Sequence, residues 1–174
     1  AQYASFSIWG FVLIGMILTT IIQTSTGATI ITLTALNAGL ISLDMALGVV
    51  IGANMGSAVS TTIMGFLAST KTQNTKRQVA LSHFLFNIVT TIIVTLAYQP
   101  IKSMLLSILG HGADPVLILA LFHTTFNLIL ACIWTPFLSP LMHFLRWILP
   151  KKQTHLGLAV EQINPSIPDE IIAA

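Results

Sequence analysis

No charged residue occurs before Asp44, and only 7% of the 174 residues are charged. A soluble domain carries about 25% charged residues, so a chain like this one is built to be solvated by lipid. A hydrophobic content of 55% and a mean hydropathy of +0.89 agree. The sequence describes an integral, multi-pass membrane protein of the all-α class. Its formal charge of +2 gives no reason to expect nucleic acid as a partner. The single Cys132 lies in an apolar run and excludes an intrachain disulfide. The opening AQYASFSIWG lacks an initiator Met, a basic n-region and a cleavage site, and looks like a chain entered partway.

One stretch breaks the apolar pattern. Thr19 to Thr34 carries eight Ser/Thr hydroxyls, one Gln and one Gly without any charge. Each unpaired polar group in an apolar medium costs roughly 2–7 kcal/mol, so the cluster needs partners. The preceding apolar run, Phe6 to Ile22, is about 25 Å long as a helix, and Ala28 to Gly39 about 18 Å, at roughly 1.5 Å per residue. Neither crosses a hydrocarbon core of about 30 Å comfortably. The pair is expected to form a re-entrant helical hairpin over residues 6–39, with Gln23 to Gly27 at its tip. Irregular backbone at that depth is tolerated only inside protein or beside a water-filled cavity. In the rival reading, Phe6 to Ile22 is a full span.

The remainder divides at its turn residues. Ser42 is expected to cap a helix whose first turn holds Asp44. That helix, residues 43–69, is expected to be broken at Gly52-Ala53-Asn54-Met55-Gly56. Spans are expected over 78–99, ended by Pro100, and over 115–135, opened by Pro115. An interfacial helix follows over 138–149. Residues 1–149 thus form one membrane unit, and residues 150–174 are polar enough for a soluble linker or the edge of a C-terminal domain. Lys71, Lys76 and Arg77 fall on one side, and two spans later Arg146, Lys151 and Lys152 return to it. Both clusters fit the cytoplasmic face, with Lys102 opposite.

A broken helix frees N–H groups at one half-helix start and carbonyls at the other half's end. The first suit an anion and the second a small cation such as sodium. Gln23, Thr24, Ser25 and Thr26 are the candidate ligands at the hairpin tip. Asn54 and Ser57 are the candidates at the second break, where glycines at four-residue spacing are also explained by close helix packing. His83-x-x-Phe86-Asn87 and His123-x-x-Phe126-Asn127 repeat one pattern, with each His and Asn on one helix face. Interhelical hydrogen bonding is the simpler reading of that pattern, and proton-sensitive coupling the alternative. No carboxylate or Cys accompanies either His in a metal-ligand pattern. No nucleophile–base pair suggests an enzyme.

In order, QTSTGATIITLTALNAGLI, ALGVVIGANMGSAVSTTI, KRQVALSHFLFNI and FHTTFNLILACIWTPFL resemble one repeat of a sodium/phosphate cotransporter, over residues from about 10 to 145. The family's Gln followed by three Ser residues stands here as Gln23-Thr24-Ser25-Thr26, with hydroxyls kept at all three positions. The trailing FHTTFN and polar tail make it look like the second repeat of a bacterial member. The resemblance implies sodium-coupled symport of inorganic phosphate across a bacterial inner membrane. It also implies two repeats in inverted topology sharing a central site, the other coming from a missing segment, a second chain or a homodimer. Gln23, Ser25, Thr26 and Asn54 are then the sodium candidates. The alternatives are a transporter of another oxyanion and a non-transporting membrane interaction or regulatory module.

Overall fold

A computed structural model describes residues 7–68, 74–110 and 112–148. They form six α-helices: α1 Ile8–Ile22, α2 Ser25–Asn37, α3 Leu43–Leu67, α4 Asn74–Leu109, α5 Pro115–Trp134 and α6 Leu138–Ile148, with a 3-10 turn at Thr135–Phe137. No strand forms among the described residues. By length and apolarity three segments are able to cross a membrane, Leu43–Leu67, Lys76–Leu109 and Pro115–Phe144, while Ile8–Ile22 is shorter. This is an all-α membrane protein. The expected tail over 150–174, together with Lys71, Lys151 and Lys152, lies outside the described residues.

The central element is α3. Leu47, Val50, Ile51 and Ala53 are almost wholly buried, and α1, α2, α4 and α5 all pack on it. Its start follows local chemistry, since Ser42 Oγ accepts the Met45 N–H at 3.4 Å and Asp44 sits in the first turn. The expected break at Gly52 to Gly56 is absent, and α3 is continuous from Leu43 to Leu67. The glycines face α1 instead. A Cβ on Gly52 would collide with the Val12 carbonyl, on Gly56 with the Met16 carbonyl, and on Gly48 it would stand 2.6 Å from Phe11 Cβ. An interior Gly costs a helix about 1 kcal/mol, and here it permits backbone contact along the whole length of α1. The small residues are spent on packing.

These contacts fix the direction of the hairpin. Val12 meets Gly52, Met16 meets Gly56, and Thr20 exchanges long 3.5 Å hydrogen bonds with Gly56 and Ser60. The offset of about forty residues is constant, so α1 runs parallel to α3, and α2 turns back antiparallel.

Pro100 does not end the second span either. It lies inside α4, which has 36 residues. Proline deletes one helical hydrogen bond and crowds the carbonyl four residues back, but packing on both sides of it holds the helix. Tyr98 and Ile101 pack on the core cluster, which includes Val94 and Leu105. Just beyond, Lys102 Nζ meets Asp44 Oδ1 at 2.6 Å. That pair ties the far end of α4 to the start of α3, while Thr62 Oγ1 donates to the Ala80 carbonyl at 3.1 Å near the other end. Asp114 then caps α5, accepting the Val116 N–H at 2.9 Å, with Pro115 at the first helical position.

Candidate functional site: a hairpin tip and a polar cleft

The tip is built by two adjoining caps. Gln23 closes α1 with φ +61°, its N–H donating to the Thr19 carbonyl at 2.7 Å. It is the one non-glycine residue with positive φ among the described residues. A left-handed L-residue costs roughly 1–2 kcal/mol, so the turn is strained where the candidate ligands gather. Thr24 then caps α2, its Oγ1 accepting the Gly27 N–H at 3.3 Å. The Ser25 and Thr26 N–H groups stand in the first helical turn, where no earlier carbonyl is in reach. The positive end of α2 therefore faces outward at the tip.

The eight hydroxyls of Thr19 to Thr34 have different fates. Thr20, Thr29, Thr32 and Thr34 donate to carbonyls four residues back in their own helices, at 2.7–2.9 Å. Thr24 caps α2. Thr19 is fully buried beside Gly56, and its Oγ1 has no partner. Ser25 and Thr26, with the Gln23 amide, have no hydrogen-bond partner among the described residues. The uncommitted polar groups are thus concentrated at the tip.

Asn54 and Ser57 are elsewhere. Ser57 Oγ donates to the Asn54 carbonyl at 2.7 Å and stays within α3. Asn54 points away from α1, into a cleft of about 370 Å³ between α3, α4 and α5. Continuing the α1–α3 offset places Gln23 level with Ile63, nine residues or about 13 Å beyond Asn54 along the helix axis. Within this chain the tip and Asn54 do not meet.

The cleft gathers Asn54 with His83, Asn87 and Thr90 of α4 and with Asn127 and Trp134 of α5. The two His-x-x-Phe-Asn patterns are used differently from the interhelical bonding expected of them. Asn87 Nδ2 donates to the His83 carbonyl at 2.8 Å, and Asn127 Nδ2 to the His123 carbonyl at 2.7 Å. Their donors are turned back onto their own helices, which leaves amide oxygens as free acceptors. His83 Nδ1 is buried without a partner. The bond that joins α4 to α5 is a different one, from Trp134 Nε1 to Thr90 Oγ1 at 3.0 Å. Trp134 also stacks edge-on against Phe86, with centroids 4.6 Å apart. Thr90 and Trp134 carried no signal in the sequence beyond lying in spans. No group of three or more His, Cys, Asp or Glu able to hold a metal ion occurs among the described residues.

A helical hairpin packed beside long apolar helices, with neutral polar groups at its tip and in a cleft, defines the class of protein: an integral membrane protein with polar groups set among its apolar helices. The chain belongs to the Na+/Pi-cotransporter family, whose sequence model it matches over residues 4–121. It is 32% identical over 148 residues to an Escherichia coli (strain K12) protein named "Putative inorganic phosphate export protein YjbB", covering 83% of this chain and 26% of that one. It is 30% identical over 148 residues to the Bacillus subtilis (strain 168) protein "Uncharacterized protein YqeW", covering 83% of this chain and 45% of the relative. The chain spans between about a quarter and under half of the length of these relatives. No solved structure matches it.

Proposed function

We propose that the chain supplies one half of a sodium-coupled symporter for inorganic phosphate in a bacterial inner membrane. The observation that carries this reading is the hairpin tip. Its uncommitted Gln23 amide and Ser25 and Thr26 hydroxyls surround the N-terminal end of α2, where N–H groups suit an oxyanion. Neither Arg nor Lys stands in the tip or among the residues lining the cleft. Neutral donors alone leave a phosphate dianion poorly compensated. Sodium supplies the missing charge, and the hard oxygens of Gln23, Ser25, Thr26 and Asn54 are suitable ligands for it. The spare amide oxygens of Asn87 and Asn127 extend that set inside the cleft.

On this reading the hairpin is re-entrant, and a second repeat of opposite orientation, in the same polypeptide or another, completes the site. Alternating access comes from one repeat rocking against the other. Relatives named for phosphate export fit the same chemistry, since a symporter runs whichever way the combined gradients point. A pure packing module accounts for the α1–α3 glycine seam, but it leaves the open polar groups of the tip without a role. The deciding experiment is sodium-dependent uptake of radiolabelled phosphate by the full-length protein in proteoliposomes. Ser25→Ala is expected to abolish uptake at unchanged expression. Normal uptake by that variant, or uptake indifferent to sodium in the unmutated protein, refutes the assignment.

A further inference from the structure

The groove between the end of α3 and the start of α4 lies apart from the tip and shares only His83 with the polar cleft. It has a volume of about 820 Å³, with Met64 and Val79 on its walls, Lys76 towards one end and His83 towards the other. Its floor is a tight seam, because a Cβ on Gly65 would stand 2.6 Å from Ala80 Cβ. Lys76 and His83 are seven residues apart on α4, two turns or about 10 Å. Met64 is 58% exposed and Val79 56% exposed, so the groove is open at the surface of the chain.

The charge around it is one-sided. Lys76 is exposed near the start of α4, and the Arg77 guanidinium lies over the Phe66 ring at 5.8 Å. The carboxylates among the described residues are Asp44 and Asp114, and both belong to the other end of the molecule. Asp44 is held by Lys102 at the far end of α4, and Asp114 opens α5 from that side. An apolar channel with a cation at its mouth and, among the described residues, no carboxylate nearby complements one kind of molecule a bilayer supplies. Basic pockets between transmembrane helices on the cytoplasmic side collect anionic headgroups.

We propose that this groove binds one anionic phospholipid, with its headgroup phosphate on Lys76 and an acyl chain along the Gly65–Ala80 seam towards His83. His83 also lines the polar cleft, so the chain end lies one side chain away from it. The site depends on lipid chemistry alone and stands whether or not the protein carries phosphate.

Native mass spectrometry of the full-length protein tests this, with phosphatidylglycerol and phosphatidylcholine of matched chains added in detergent. One phosphatidylglycerol is expected to be retained in preference to phosphatidylcholine. Lys76→Gln should weaken phosphatidylglycerol about fivefold, the scale of one basic residue near an anionic surface, and leave phosphatidylcholine unchanged. Lys76→Arg should retain the preference. Met64→Trp, which fills the groove without touching charge, should weaken both lipids. Equal phosphatidylglycerol retention by Lys76→Gln overturns the proposal. Displacement of the lipid by millimolar inorganic phosphate also overturns it, in favour of a free-anion site.

Discussion

Gln23 separates stability from function, because its backbone and its side chain make opposite demands. The backbone sits at φ +61°, which costs an L-residue roughly 1–2 kcal/mol and glycine almost nothing. The side-chain amide is exposed and uncommitted, so deleting it removes no hydrogen bond from the fold. Gln23→Ala keeps the strain and loses the amide. Gln23→Gly loses both, and the greater freedom of an unfolded glycine returns about 0.4–1 kcal/mol of the relief. The glycine variant should therefore be about 0.5–1 kcal/mol more stable than the alanine variant, a difference of roughly 2 °C in Tm for a chain of this size. Thermal unfolding in one detergent measures that difference, and phosphate uptake by the full-length protein measures function. Both variants should lose uptake, including the more stable one. An alanine variant as stable as the glycine variant refutes the strain argument. Normal uptake by either refutes the role of the amide.

Further substitutions test the packing. Gly52→Ala places a methyl against the Val12 carbonyl and Met16 N, both main-chain atoms, so α1 must shift at a cost of about 1–3 kcal/mol. Gly112→Ala, where nothing lies within 4 Å of the added Cβ, should stay within about 0.5 kcal/mol in the same thermal unfolding assay. Trp134→Phe retains the ring against Phe86 but deletes the donor to Thr90, and should cost about 1 kcal/mol. The same change in a Thr90→Val background should cost measurably less, because the two side chains share one bond.

What the sequence disclosed was governed by how local each signal is. Ser42 with Asp44, and Pro115, state helix starts within a few residues, and the structure begins α3 and α5 there. Gly52 and Gly56 do not carry their meaning alone. The same glycines permit a break or a close helix contact, and only the position of α1, forty residues earlier, decides between them. Pro100 is similar: its local penalty is real, but Tyr98, Ile101, Lys102 and Leu105 are held by other elements, and that is invisible in a window around the proline. The cleft was harder still. His83 and Asn87 could be paired by spacing, whereas the approach of Asn54 and Asn127 depends on three helices meeting. The count of hydroxyls between Thr19 and Thr34 does not tell which of those groups stay open in the fold, since four of them are consumed by their own helices.

The separation of tip and cleft bears on how sodium and phosphate could depend on one another. Unit charges 4 Å apart attract by about 4 kcal/mol at an effective dielectric of 20, and the same law gives about 1.3 kcal/mol at 13 Å. A cation held at Asn54 would therefore improve the binding of a monovalent anion at the tip by roughly tenfold. One held by Gln23, Ser25 or Thr26, in contact with the anion, would improve it by nearly a thousandfold. Strict coupling, in which neither ligand binds usefully alone, needs the second case. The tip then has to hold both ions at once, with the neutral oxygens divided between them. That is a heavy demand on one amide and two hydroxyls. It gives a physical reason for a second hairpin to face the first, since another set of neutral donors and acceptors would complete both coordination shells without adding a fixed charge. The cleft, with its spare Asn87 and Asn127 oxygens, would then modulate affinity at a distance and leave obligatory coupling to the tip.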